Sequence, residues 1–202
     1  MTDTTIIAVL SAVVSVLSLG ISATTMYFAW LRRGRLAMTK PALVFFGYDT
    51  VPKPIPKIFL RTLLYSTSAR GKMIESMYAK LNRGSSEQVF SFWGCGETND
   101  ISPGSGLYVG QSGVTMNHHF VLSVHHADYE FAPGRYTIHV FAKLAGADTP
   151  IELAQFDVAL NEELAGALAS RNGVLFELDP DTQSYRGHVS RSKSALAVQS
   201  TQ

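Results

Sequence analysis

Four histidines fall within nine positions near the middle of the chain: His118 and His119, directly after Asn117, then His125 and His126. Imidazole is the commonest metal-binding side chain, so this composition is that of a zinc or copper site. The spacing works against it. In an extended segment His118 and His119 point to opposite faces, and His119 and His125 stand about 20 Å apart along the strand. A turn after Val124 would bring the pairs together, but no carboxylate completes a ligand set. Surface or turn histidines are the expectation, and a metal or hydrolytic site at His118, His119, His125 and His126 is the alternative.

Cys95, in the run Phe-Trp-Gly-Cys-Gly, supplies a thiol, and Asn117 with His118 or His119 would supply a base and its orienting partner. These residue types co-occur often without chemistry, and a small buried residue beside Trp93 is the simpler account. Glycines 104, 106, 110 and 113 match neither the P-loop spacing nor the dinucleotide fingerprint, because a strand-like GLYVG follows them where a helix would be needed. They read as turn glycines. Phe90, Phe92 and Trp93 bracket this loop. Trp93, at its edge, is the candidate for a binding contact. No catalytic residue and no cofactor is expected.

The elements that must position these residues begin with an N-terminal apolar segment. From Thr4 to Leu31 the chain carries no charge, a run of about 28 residues or roughly 40 Å of helix. Tyr27 and Trp30 lie at its C-terminal boundary, followed by Arg32, Arg33 and Arg35, the arrangement of a membrane–water interface. A cleaved signal peptide is the competing reading, but it calls for a basic start and an apolar stretch of only about 7–15 residues. Basic residues are retained on the cytoplasmic side. The expectation is therefore a single-pass protein of an inner (plasma) membrane, N-terminus outside and domain in the cytoplasm, with a periplasmic domain as the alternative.

Within this helix Ala8, Ser11, Ser15, Ser18, Ser22, Thr25 and Ala29 recur at alternating steps of three and four, the a and d positions of a heptad. Small residues let helices approach closely, so a helix–helix contact is expected, with a second copy or with another membrane protein. Small residues elsewhere in the segment, such as Ala12 and Gly20, leave room for a stripe that arose without selection. Lys53, Lys57 and Arg61, with the juxtamembrane arginines, are candidates for contact with anionic headgroups, with an ordinary solvated face as the equal alternative.

The remainder is punctuated by Gly, Pro, Asn and Asp, and its short runs are rich in β-branched and aromatic residues, which favours strands. Strands are predicted at 42–48, 57–66, 88–94, 106–109, 114–124, 135–144 and 151–158, with a closing hairpin across Asp179-Pro180-Asp181-Thr182. Residues 72–81 are ambiguous, since Met73, Ile74, Met77, Tyr78 and Leu81 fit a helical stripe; strand neighbours favour a strand. Asn161 is the expected N-cap of a short helix ended by Asn172-Gly173. The spacing predicts an antiparallel β-sandwich of immunoglobulin-like type, with a β-barrel as the alternative.

The expected organisation is a tail (1–4), a transmembrane helix (5–31), a basic linker (32–40), a β domain (41–190) and a disordered tail (191–202). A net charge of +1, with 16% charged residues, argues against a nucleic-acid binder, which would normally show a basic face or stripe. The single cysteine permits no internal disulfide, which suits a reducing compartment. The function expected is a membrane-anchored, non-enzymatic interaction module or accessory subunit. Its partners would be the bilayer and either its own copy or another membrane protein.

Overall fold

The computed structural model describes residues 3–28, 34–49, 54–95, 101–103, 106–123 and 128–190. Helix α1 (Asp3–Met26) is followed by the strands β1 (Leu36–Met38), β2 (Leu43–Asp49), β3 (Ile55–Ser66), β4 (Lys72–Arg83), β5 (Ser86–Cys95), β6 (Ile101–Pro103) and β7 (Leu107–Val109). Then come β8 (Val114–Leu122), β9 (Gly134–Leu144), β10 (Ile151–Leu160), the short helix α2 (Glu162–Ala169) and the hairpin β11 (Gly173–Leu178) and β12 (Tyr185–Ser190). Residues 36–38, inside the stretch expected as a linker, thus belong to the sheet, because Leu36 alternates into the core.

All strand pairs are antiparallel, and the hydrogen-bonded path runs β10-β9-β4-β5-β8-β3-β2-β11-β12 without a break. β1, β6 and β7 extend it beside β3, β5 and β4. The two ends of the path come together: Phe156 of β10 meets Tyr185 of β12 with ring centroids 5.6 Å apart. No ladder joins β10 to β12, so the sheet is nearly closed and barrel-like. The immunoglobulin-like sandwich is not confirmed, and the barrel alternative fits the continuous pairing, because strand spacing alone carries no information about closure.

Alternation builds the core. On β3, Ile58, Leu60 and Leu64 are fully buried and Thr62 nearly so, while Arg61 on the other face is exposed. β9 contributes Tyr136, Ile138, Val140 and Ala142 at strict two-residue spacing. Phe46 stacks on Phe131 at 5.0 Å and meets Phe176 edge-on at 5.2 Å, so aromatic rings fill the interior. Each buried ring stabilises the fold by roughly 2–3 kcal/mol.

Residues 72–83 form a strand, and the helix-like stripe has a physical origin. The pairing of β4 with β9 shifts register between Ile74 and Ser76. That irregularity resets the alternation, so Ile74 and Met77, three residues apart, both face inward while Met73 is 49% exposed.

α2 begins as expected, with the Asn161 side chain accepting from the Leu164 amide at 2.8 Å. It ends earlier than Asn172-Gly173: Ser170 is the C-cap, and Arg171 takes a left-handed φ of 62°. Leu164, Ala165 and Leu168 are its buried face, packed on β11 and β12. Gly187 of β12 makes room for it, since a Cβ there would lie 2.6 Å from Leu164 Cδ1.

α1 is 24 residues long with a mean hydropathy of 2.4 over its most apolar window, and none of it is buried. It is long and apolar enough to cross a membrane, properties that a signal sequence near the N-terminus shares.

Candidate functional site

β8 carries the histidine pair, and its neighbours fix where each imidazole goes. His118 pairs with Leu60 of β3, an inward residue; His119 pairs with Phe59 of β3 on one side and Trp93 of β5 on the other. His118 therefore enters the barrel and His119 lies on its outer face. The two cannot bind one ligand together.

His118 is completely buried, 6.2 Å from the Phe92 ring, and neither ring nitrogen finds a hydrogen-bond partner. Burial pushes its imidazole down to about 4; proximity to His119 adds to this, and the Thr62 backbone, although it does not complete a hydrogen bond, opposes it. The residue is a neutral ring in an apolar wall.

His119 is 4% exposed and its Nδ1 has no partner. Its ring lies 5.4 Å from Phe59, which stacks on Phe45 at 4.8 Å and 11°. Phe45 in turn lies flat over β2 and β11: a Cβ at Gly47 or Gly173 would come within 2.6 or 2.4 Å of its ring. Burial lowers His119 to about 4, helped by the positive Lys57 and opposed by Asp49. Lys57 and Asp49 form an ion pair at 3.1 Å, with the lysine side chain only 5% exposed. A row of rings and one buried charge pair thus crosses the outer face of β5, β8, β3 and β2. Sequence reading missed it because its members are far apart in the chain.

Among the described residues no three His, Cys, Asp or Glu side chains gather as a metal site. His125 and His126 lie outside the described residues, as do Ala29, Trp30, Arg32, Arg33 and Lys53. The backbone of Cys95 pairs with Ile101 of β6, and its side chain is outside the described residues. β5 pairs with β8 only as far as Trp93 opposite His119 before it turns to β6. Trp93 is half-buried and packs against the core. Gly106 and Gly113 take positive φ values of 84° and 77°, in keeping with turn glycines.

Lys57 does not fit the expected headgroup contact, because it is buried against Asp49. Arg35 and Arg61 are exposed, and Tyr27 packs edge-on against Phe28 at 5.5 Å, both rings exposed. The described members of the small-residue stripe are all exposed on α1, but some of their hydroxyls are already engaged. Ser15 donates to the Ser11 carbonyl and Thr25 to the Ile21 carbonyl, each at 2.8 Å. Close approach, more than hydroxyl bridging, is what the stripe can offer a second helix.

A concave feature also lies at the seam where the barrel fails to close. A cleft of about 440 Å³ lies between β10 and the start of β12, with Lys40, Arg135, Asp157 and Tyr185 on its walls. Lys40 donates to the Gln183 carbonyl and sits 5.4 Å from the Tyr185 ring centroid. Tyr185 anchors the seam by donating to the Pro41 carbonyl at 2.7 Å. No family model matches the chain, and no curated protein or solved structure matches it either.

Proposed function

We propose that the chain is a membrane-anchored, non-enzymatic interaction module whose β domain faces the cytoplasm and serves as a binding or accessory subunit at the bilayer. The observation that carries this reading is α1 itself: an apolar helix none of whose side chains is covered by the barrel, which therefore needs lipid or another helix around it. In this reading residues 5–31 are the anchor and 41–190 the bulk of the domain. An immunoglobulin-like strand arrangement would serve the same role, as would the barrel.

The seam supports the binding role. β10 and β12 each end the hydrogen-bonded path, so their outer backbone groups are available for an added strand. The tether raises the local concentration of any partner in the same membrane. The helix stripe supplies a second contact, with another copy or another membrane protein.

Purification in mild detergent tests this. A stoichiometric partner or a self-dimer should be retained by the natural sequence and lost when α1 is replaced by a polyleucine helix or when Gln155 and Asp157 in the seam are changed to Arg. A chain that stays monomeric and alone in detergent and in nanodiscs would overturn the reading. The second reading, metal-dependent or hydrolytic chemistry at His118, His119, His125 and His126, draws on the unpartnered nitrogens of His118 and His119. Stoichiometric zinc or copper in the purified chain would favour it.

A further inference from the structure

The continuous path of the sheet counts nine strands among the described residues, from β10 to β12. Every ladder along it is antiparallel, so strand direction alternates, and β12 runs the same way as β10. A sheet whose neighbours are all antiparallel closes on itself only with an even number of strands. The place between β12 and β10 therefore fits a strand that runs opposite to both.

β12 shows what that place asks for. Val189 pairs with Val174 and Gly187 with Phe176, and both partners on β11 are completely buried. Directly opposed residues share a face of the sheet, so Val189 and Gly187 lie on the inner face. Val189 is nevertheless 36% exposed, and Arg186, Gly187 and His188 are exposed with it. β11, which has neighbours on both sides, buries Gly173, Val174 and Phe176. An inward apolar residue is open on β12 because nothing among the described residues pairs with its far edge.

The chain supplies an occupant. β12 ends at Ser190, and residues 191–202 follow it in the sequence. The sequence expectation for them is a disordered tail, and they lie outside the described residues. A chain that turns back after Ser190 runs opposite to β12 and to β10, as the seam requires. Arg191-Ser192-Lys193-Ser194 is polar and suits a turn, and Ala195-Leu196-Ala197-Val198 follows it. Leu196 and Val198 are two residues apart, which sets both on one face of a strand but on opposite faces of a helix. With a four-residue turn, Leu196 faces Val189, Ala197 faces His188 and Val198 faces Gly187. A two-residue turn slides the pairing by two and keeps Leu196 and Val198 on the inner face. The polar residues from Gln199 onward then reach the cleft beside Tyr185, which has Lys40, Arg135 and Asp157 on its walls.

We propose that residues 195–198 form a tenth strand of the continuous path, paired antiparallel to β12, with Leu196 and Val198 facing inward beside Val189. The segment covers in cis an edge open to strands of other chains, and it leaves the edge of β10 to a partner. It needs nothing from α1, so it stands apart from the anchoring reading.

Hydrogen exchange on the full chain in nanodiscs, read by mass spectrometry, tests this. Residues 186–190 and 195–198 should both exchange at least about tenfold more slowly in the natural chain than in a Leu196→Asp/Val198→Asp variant. Ala195→Asp with Ala197→Asp, on the outer face, should keep the protection. Exchange in β3 and β9 should be the same in all three chains. In a Cys95→Ser background, His188→Cys should form a disulfide with Ala195→Cys or Ala197→Cys and not with Leu196→Cys. Residues 195–198 that exchange as fast in the natural chain as in the inner-face variant would overturn the proposal. So would equal loss of protection in both double variants, equal disulfide formation with Leu196→Cys, or disulfides that form only between two chains.

Discussion

At the scale of single residues, the two buried imidazoles make the domain sensitive to mild acid. Both are held near 4 in the folded state against 6.5 when free, chiefly by burial. Below pH 6.5 the unfolded chain takes up protons that the folded chain refuses, so their contribution is complete above that pH and is lost as pH falls towards 4. The upper bound is about 3 kcal/mol for each imidazole. The midpoint of urea unfolding should therefore fall steadily from pH 6.5 to 4.5. Asp179, lowered by amide hydrogen bonds from Thr182 and Asp181, has its own window below 3.8 and does not blur this one. His118→Phe, which fills the same wall without a titrating group, should flatten the profile by about half. A midpoint independent of pH across that range would refute the assignment.

At the scale of elements, α2 and β12 depend on an absence of side chain. Gly187 lies where a Cβ would meet Leu164 at 2.6 Å and Phe176 at 2.8 Å, both from the core. Gly187→Val should force α2 off the hairpin and cost about 2–3 kcal/mol, with hydrogen exchange rising first in residues 162–169. Equal loss of protection throughout the barrel would mean that α2 is not a separable layer. Much at this scale was legible beforehand. The N-cap at Asn161, the β11–β12 hairpin and the alternation of β3 follow from local chemistry, and the structure reproduces them. Two things were not legible. The register shift at Ile74/Ser76 mimics a helical period, and the left-handed residue after α2 is Arg171, with no glycine to signal it. Its guanidinium lies 4.1 Å from the Tyr48 ring centroid, a contact from a distant strand that offsets the backbone strain. The site shows the same limit. Strand alternation correctly separated His118 from His119, but both are buried where surface or turn positions were expected, and their burial, like that of Lys57 against Asp49, depends on how β2, β3 and β8 pair.

At the scale of the whole molecule, the sidedness proposed for the domain is open to direct measurement. If Arg32, Arg33 and Arg35 hold the juxtamembrane chain at the cytoplasmic face, the barrel lies on that side of the membrane. Orientation can be measured without relying on Cys95. With Cys95→Ser, an engineered thiol at Ser85, which is exposed in the turn between β4 and β5, should resist a membrane-impermeant maleimide in intact cells and react fully once the membrane is opened. Labelling in intact cells would reverse the sidedness. A chain recovered without residues 1–26 would show that α1 is removed as a leader, and the domain would then have to find its partners without a tether.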